Sequence, residues 1–280
     1  MTSKEQHGGE VAAVDVSIVM ATYRRPATIG EAIRSILDQS GVRVEVMVVD
    51  DCPDGSAETV VLGIGDPRVR YMRNPQPSNG RPALPRNAGW PLTRGEVIHF
   101  ADDDDLVPQG LYADALAEFR RYPNIGLLFG RIEAFGAPSR MLNDDQALFV
   151  RAAARAARLQ KLGSKLAFTA VLLFTELLFV GGSTLMRRRC LETLGGLPTG
   201  AEIMEDVDFL ARATRLFGVR YLDRLSLYYR VGPSMMHSQK DLQAALNRSY
   251  RRLQADYRKK FGTLEFYVLK IAARTVLRLI

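Results

Sequence analysis

The stretch GEVIHFADDDD, residues Gly95–Asp105, runs a short apolar segment directly into four consecutive aspartates. Val97–Phe100 (VIHF) reads as a strand, and the acidic run Asp102–Asp105 falls at its end. Two like charges about 4 Å apart repel by roughly 4 kcal/mol at an effective dielectric of 20. A hard divalent cation removes that repulsion, prefers carboxylate oxygen, and brings a diphosphate with it. The other reading is a solvated acidic turn, which the preceding apolar strand disfavours. An EF-hand loop is excluded. Counted from Asp102, its required glycine would fall on Val107 and its closing glutamate on Ala113.

Working outward, Val14–Met20 and Val44–Val49 are two further β-rich runs, and Val69–Met72 is another. Ile29–Leu37 places Ile29, Ala32, Ile33, Ile36 and Leu37 on one helical face. Cys52-Pro53-Asp54-Gly55 is turn chemistry, and Ser56 is placed to cap the helix after it. Arg73–Pro85 is a polar loop, with a helix beginning at Arg86. Strands alternating with helices predict an α/β fold with a mostly parallel, doubly wound sheet. Ligands in such sheets sit beyond the carboxyl ends of the strands. Ala21-Thr22-Tyr23, Asp50-Asp51 and the aspartate run all fall at such ends.

The second half is less regular. Helices are expected over Leu106–Arg121, Gln146–Lys165, Cys190–Leu194 and Glu205–Phe217, and strands over Ile125–Phe129, Gly181–Arg187 and Arg220–Tyr229. Leu166–Val180 is too short and carries Glu176, so it reads as a buried helix rather than a membrane span. The chain divides into a flexible start (1–13), a donor-binding half (14–110), an acceptor and catalytic half (111–238) and a helical tail (239–280).

The bulk numbers fit this reading. The 280 residues are 47% hydrophobic and 25% charged, enough for one large domain with a packed core. A net charge of +7 points to a phosphate-bearing ligand or an anionic membrane. Nucleic acid is the weakest partner, because neither an RNA-recognition signature nor zinc-finger spacing is present. Two distant cysteines and a polar start without an apolar secretory core suit a reducing cytoplasm.

Other candidates are weaker one by one. Asp50-Asp51 is placed to grip a base or ribose, or to cap a turn. Arg86 is placed for a phosphate, or is a surface arginine. Glu205-Asp206 opens a helix, where the dipole alone favours acids, or supplies a general base. His237 is a candidate metal or phosphate ligand.

Together, VSIVMATYRR (16–25), VVDDCPDGS (48–56), RNAG (86–89), GEVIHFADDDD (95–105) and MEDVDFL (204–210) resemble the family 2 inverting glycosyltransferases of GT-A fold. The resemblance spans about residues 15 to 235. It implies that Tyr23 stacks on or near the nucleotide base, that Asp51 binds the base, that Arg86 reaches the nucleotide or its phosphates, and that Ala21 belongs to the nucleotide-sugar site. It places Asp102 and Asp103 at the nucleotide sugar, with Asp103 near the ribose, and Asp104, with Asp102, at Mn²⁺ or Mg²⁺, to which His237 is the further candidate ligand. The run of four leaves that register open by one residue. Asp206 matches the catalytic base, with Glu205 its neighbour, and Gly181-Gly182-Ser183 resembles the acceptor-side segment. No Gln-x-x-Arg-Trp motif of processive synthases is present, so a single-sugar transfer from a UDP-sugar to a glycan or lipid-linked acceptor is implied.

Two rival readings share this core. A nucleotidyltransferase needs a Gly-rich loop after the first strand, where this chain has Ala21-Thr22-Tyr23-Arg24-Arg25. An inactive membrane-surface scaffold of the same fold is the other. Lys270, Arg274 and Arg278 are spaced by four in the tail, as in a helix lying on a membrane interface or one docked on the core with a charged outer stripe. The first option makes the protein peripheral on the inner face of the membrane.

Overall fold

The computed structural model describes residues 13–175, 178–200, 203–232 and 241–279. The flexible start expected over 1–13 therefore lies almost wholly outside the described residues, as do Glu176 and His237.

The first half alternates β1 (Val16–Thr22), α1 (Ile29–Leu37), β2 (Val44–Asp50), α2 (Glu58–Leu62), β3 (Val69–Arg73), α3 (Ala83–Gly89) and β4 (Val97–Asp102), followed by α4 (Leu111–Arg121). Every residue of β2 is buried, because helices cover both faces of the sheet. Alternation along β1 sends Ile18 and Met20 to a core shared with Ile29, Ile33 and Ile36 of α1. Val19 points the other way, into a second core with Phe100, Phe129 and Phe168.

The second half contributes β5 (Leu127–Phe135), α5 (Arg140–Leu162), α6 (Lys165–Phe174), β6 (Thr184–Arg187), α7 (Arg188–Leu194), α8 (Glu205–Phe217), β7 (Val219–Arg230), α9 (Leu242–Phe261) and α10 (Thr263–Leu279). Seven strands of the described residues form one mixed sheet in the order β3-β2-β1-β4-β6-β5-β7. β6 runs antiparallel between β4 and β5, and the other pairings are parallel. The expected α/β, mostly parallel architecture is present.

Several boundaries differ from expectation. α3 begins at Ala83, so Arg86 sits inside the helix rather than at its start. Ser56 does not cap α2: its hydroxyl donates to Cys52 Sγ, while Asp50 Oδ2 accepts from Ala57 N at 2.9 Å. A carboxylate buried at the strand end is the stronger acceptor for that amide. The stretch Gln146–Lys165 is split, with Ser164 accepting from Ala167 N to cap α6. Ala167–Leu173 of α6 are buried, and no described helix is long and apolar enough to cross a membrane. The tail is two helices that break at Gly262, whose φ of +94° an L side chain rarely adopts. α10 docks through Phe266, Leu269 and Ala273, with Phe266 against Phe174 of α6.

Candidate active site

β1 lies between β2 and β4, and the chain leaves it first toward β2 and later toward β4. At such a reversal, ligands bind beyond the carboxyl ends of the strands, here those of β1 and β4. Register places Ala21 beside Asp102 and Thr22 beside Asp50. Tyr23 is half-buried just beyond, with the Arg24 guanidinium 5.2 Å from its ring. Arg24 has φ +57°, an unusual backbone for a non-glycine residue and one that occurs at functional turns.

The aspartate run resolves into an alternation. Asp103 and Asp105 are buried, whereas the Asp102 and Asp104 side chains are 38% and 23% exposed. Asp103 turns inward and accepts from Thr22 Oγ1 at 2.6 Å. Burial pushes its carboxyl up to about 6, against the lowering effect of that hydroxyl and of Arg25. Burial also raises Asp104, with Asp102 adding to it. Asp105 is pushed well up by burial and then by Asp102 and Asp104, and its Oδ2 has no hydrogen-bond partner among the described residues. Its Oδ1 accepts from Arg230 N at 2.8 Å.

The crowding is therefore relieved in part by the protein itself. Arg25 bridges Asp103 and Asp104, and Arg86 donates to Asp102 Oδ1 at 2.5 Å. A doubly charged cation is not the sole remedy that the sequence alone suggests.

Arg86 is the link to the other half. It is buried, lies over the Phe100 ring, and its second terminal nitrogen is 3.6 Å from Glu205. Burial opposes its charge, but Asp102, Glu205 and Asp206 outweigh that and hold it firmly cationic. Burial and then Asp206 push Glu205 up to about 7. Asp206 follows Met204, which is held at φ +64° as the helix starts. Its Oδ2 accepts from Gly181 N at 3.0 Å and its Oδ1 from Val207 N at 2.8 Å. These bonds aim the carboxylate at the Gly181–Gly182 segment.

That segment lies against both acidic groups. A Cβ at Gly181 would come within 3.3 Å of Asp206, and one at Gly182 within 3.1 Å of Asp102 Oδ2. His99 fixes the segment from below, 2.8 Å from the Gly182 carbonyl and 2.9 Å from the Tyr112 hydroxyl. A carbonyl only accepts, so Nε2 carries the proton and Nδ1 accepts from Tyr112. Burial lowers the pKa of His99, in keeping with that neutral form.

Asp51 stands at the end of β2 but is wholly enclosed. It accepts from Asn74 Nδ2 (2.6 Å), Ser78 N (2.9 Å), Ser78 Oγ (2.7 Å) and Gly80 N (2.6 Å), and so anchors the loop 74–80. A base can reach its oxygens only by displacing one of those donors.

The sequence reading missed Arg25, His99, Tyr229 and Arg230. Arg230 spans from the Asp104 carbonyl to Glu31 on α1 and so locks the acidic loop. Burial, then Asp105, Asp145, Asp102 and Asp104, raises the Tyr229 phenol, which places that ring in the field of the acidic cluster. Only Arg25 had a local signal, a charge five positions from the end of β1's apolar run.

Residues 17–195 match the family described as Glycosyl transferase family 2. The chain belongs to glycosyl transferase family 2. Among relatives of this family-2 chain, a succinoglycan biosynthesis protein, ExoO, of Rhizobium meliloti (strain 1021) is 45% identical over 93 residues, covering 33% of this chain and 26% of that protein. An uncharacterized protein, MT1568, of Mycobacterium tuberculosis (strain CDC 1551 / Oshkosh) is 31% identical over 206 residues, covering 70% of this chain and 61% of its own length. The matched stretches thus span between a quarter and three fifths of these two relatives. The fold is that of S. aureus TarS residues 1–349 in complex with UDP-GlcNAc (TM-score 0.65, 17% identity, 95% of this chain and 72% of that one). It is also that of a Pyrobaculum calidifontis mannosyltransferase in complex with GDP-Man and Mn²⁺ (TM-score 0.64, 17% identity, 96% and 74%). The GT-A assignment rests on these likenesses.

The residues of this family-2 site fit a divalent cation of one kind. No three His, Cys, Asp or Glu side chains converge as a metal-holding group among the described residues. An all-protein cage is therefore not formed by them. Asp102 and Asp104 do offer two partly open carboxylates beside a segment with no side chain at Gly182. Mg²⁺-type ions are commonly held by one or two carboxylates, with water and substrate phosphate completing the shell.

Proposed function

We propose that the protein transfers a single sugar from a UDP-sugar to an acceptor hydroxyl, inverting the anomeric carbon, with Mn²⁺ or Mg²⁺ held by Asp102 and Asp104. The reading is supported chiefly by one juxtaposition. Asp102, at the end of β4, and Asp206, at the head of α8, both lie against the same side-chain-free segment, Gly181–Gly182. The acceptor lies in glycan, polysaccharide or glycolipid synthesis.

Asp206 takes the proton of the attacking hydroxyl. Its two backbone bonds fix the carboxylate and leave lone pairs for that proton. Arg86 neutralises charge as the diphosphate leaves, from a buried position where a fixed guanidinium acts strongly. The cation, when bound, adds Lewis-acid charge at the same phosphates. Tyr23 and the Asp51-anchored loop flank the base.

Thermal-shift titrations with UDP-sugars and GDP-sugars, in Mn²⁺, Mg²⁺ or EDTA, test this, because ligand binding raises apparent stability by mass action. A UDP-sugar is expected to stabilise the protein only with metal. Asp104→Asn is expected to weaken that metal-dependent binding strongly, because it removes one of the two proposed carboxylate ligands. Equal stabilisation in EDTA and Mn²⁺ refutes the metal assignment, and absence of any nucleotide-sugar response refutes the enzyme. The anomeric configuration of the product, read by NMR, decides inversion.

A further inference from the structure

α10 docks by one face and leaves another bare. Leu264 (81% exposed), Tyr267 (49%), Val268 (54%) and Ile271 (68%) follow the i, i+3, i+4, i+7 spacing and form one apolar stripe on the outside of the protein. Apolar residues scattered singly on a surface need no explanation, but a continuous helical stripe does. The charges around it have one sign. Lys270 and Arg274 are exposed on α10 itself. Arg258, Lys259 and Lys260, all exposed, close the last turn of α9 just before the stripe begins. Glu265, in the first turn of α10, is turned inward, accepting from Arg215 at 2.6 and 2.8 Å and from Tyr257 at 2.7 Å. Asp256 on α9 pairs with Arg252 at 3.6 Å.

We propose that the outer face of α10, with the basic end of α9, docks on an anionic lipid bilayer. A stripe of aromatic and aliphatic side chains bordered by Lys and Arg is the arrangement of a helix lying in the interface plane. The apolar stripe enters the headgroup boundary while the cations meet anionic lipid. A second copy of the chain is the less fitting occupant. Across a twofold axis the same cations would face one another, which costs free energy. The docking helix is tied to the catalytic half through Glu265 and Arg215 on α8, the helix that carries Asp206 at its other end. Arg215 lies nine positions after Asp206, about 14 Å along the helix axis. Bilayer binding thereby holds the base within a short distance of acceptors that are part of a membrane. The inference stands independently of the sugar donor.

The test is co-sedimentation of the full chain with phosphatidylcholine vesicles, with and without phosphatidylglycerol, at low and high salt. The wild type is expected to bind the anionic vesicles, with binding falling as salt rises. The double variant Val268→Asp, Ile271→Asp and the double variant Lys259→Glu, Lys260→Glu are each expected to lose binding on the order of tenfold or more. Because these side chains are exposed, melting temperature and transfer to a water-soluble acceptor are expected to stay unchanged in both. Tyr267→Trp gives a second readout, with a blue-shifted emission on anionic vesicles. Equal binding by wild type and variants overturns the proposal. So does light scattering that shows a dimer dissociated by Val268→Asp, Ile271→Asp, which would assign the face to a second copy.

Discussion

The N-terminal and C-terminal halves of the sheet are built in different ways. In β3-β2-β1-β4 each strand is parallel to its neighbour, and helical crossovers carry the chain from β1 to β2 to β3 and then back to the other side of β1. In β6-β5-β7 the pairings join distant segments: β5 pairs with β7 from Leu127↔Val219 onward, and β6 enters antiparallel between β4 and β5. The first arrangement places acidic strand ends at one rim by repetition alone. The second brings a helix start, Glu205-Asp206, to that rim by long-range packing. Arg86 joins the two, because it touches an aspartate of one half and a glutamate of the other. The proposed mechanism divides its chemistry along the same line, with Arg86 at the leaving group and Asp206 as the base.

That division has measurable consequences. The largest is expected at Asp206→Asn, which should lower the transfer rate on the order of 10³-fold while metal-dependent nucleotide binding changes little. Steady-state kinetics alongside nucleotide titration reads both numbers. Near wild-type transfer would erase the distinction between the halves.

Next is the bridge. Arg86→Met leaves Glu205 buried without its cation and is expected to cost roughly 3 kcal/mol. That is the low end for a broken buried pair, because the Asp102 side chain is 38% exposed. Arg43→Met, which breaks an exposed pair with Asp15, should cost far less. Urea denaturation of both variants sharpens the contrast, and equal costs would mean that the bridge carries no stability.

The smallest effect is a pH dependence. Burial holds the Glu205 carboxyl near 7 in the folded protein, above its ordinary 4.5. The folded state then binds more protons than the unfolded one between those values, so stability falls as pH rises through them. Wild-type protein without metal is expected to lose roughly 1–3 kcal/mol relative to Glu205→Gln between about pH 4.5 and 7.5. A difference that grows in the opposite direction would contradict the burial of Glu205 beside Asp206.

Legibility follows the same contrast. α1 over Ile29–Leu37 and α8 over Glu205–Phe217 have the bounds that sequence periodicity predicts, because each has a clean apolar face and a clear start. The acidic strand ends were visible too, since they interrupt apolar runs. The start of α3 was not, because Pro and Asn in the loop before it obscure the first turn and leave Arg86 looking terminal. The cap of α2 was misread because Ser56 is a good local candidate and the better acceptor, Asp50, lies across the turn. In the sequence His99 is only one residue of a strand. Its partners Tyr112 and Gly182 are 13 and 83 residues away, and no local pattern announces them.

What the sequence determined by itself is the alternating α/β plan, the acidic rim and the motif order that marks the family, all of them local or repeated patterns. Tertiary structure alone decided which aspartates face outward, that Arg25 and Arg86 share the charge of the cluster, and that Asp51 is enclosed by a loop. It also decided that α10 turns its one acid inward and its apolar stripe out. The physical reason is that burial and pairing depend on which distant segments meet, and a carboxylate's environment is set by those neighbours rather than by its own position in the chain.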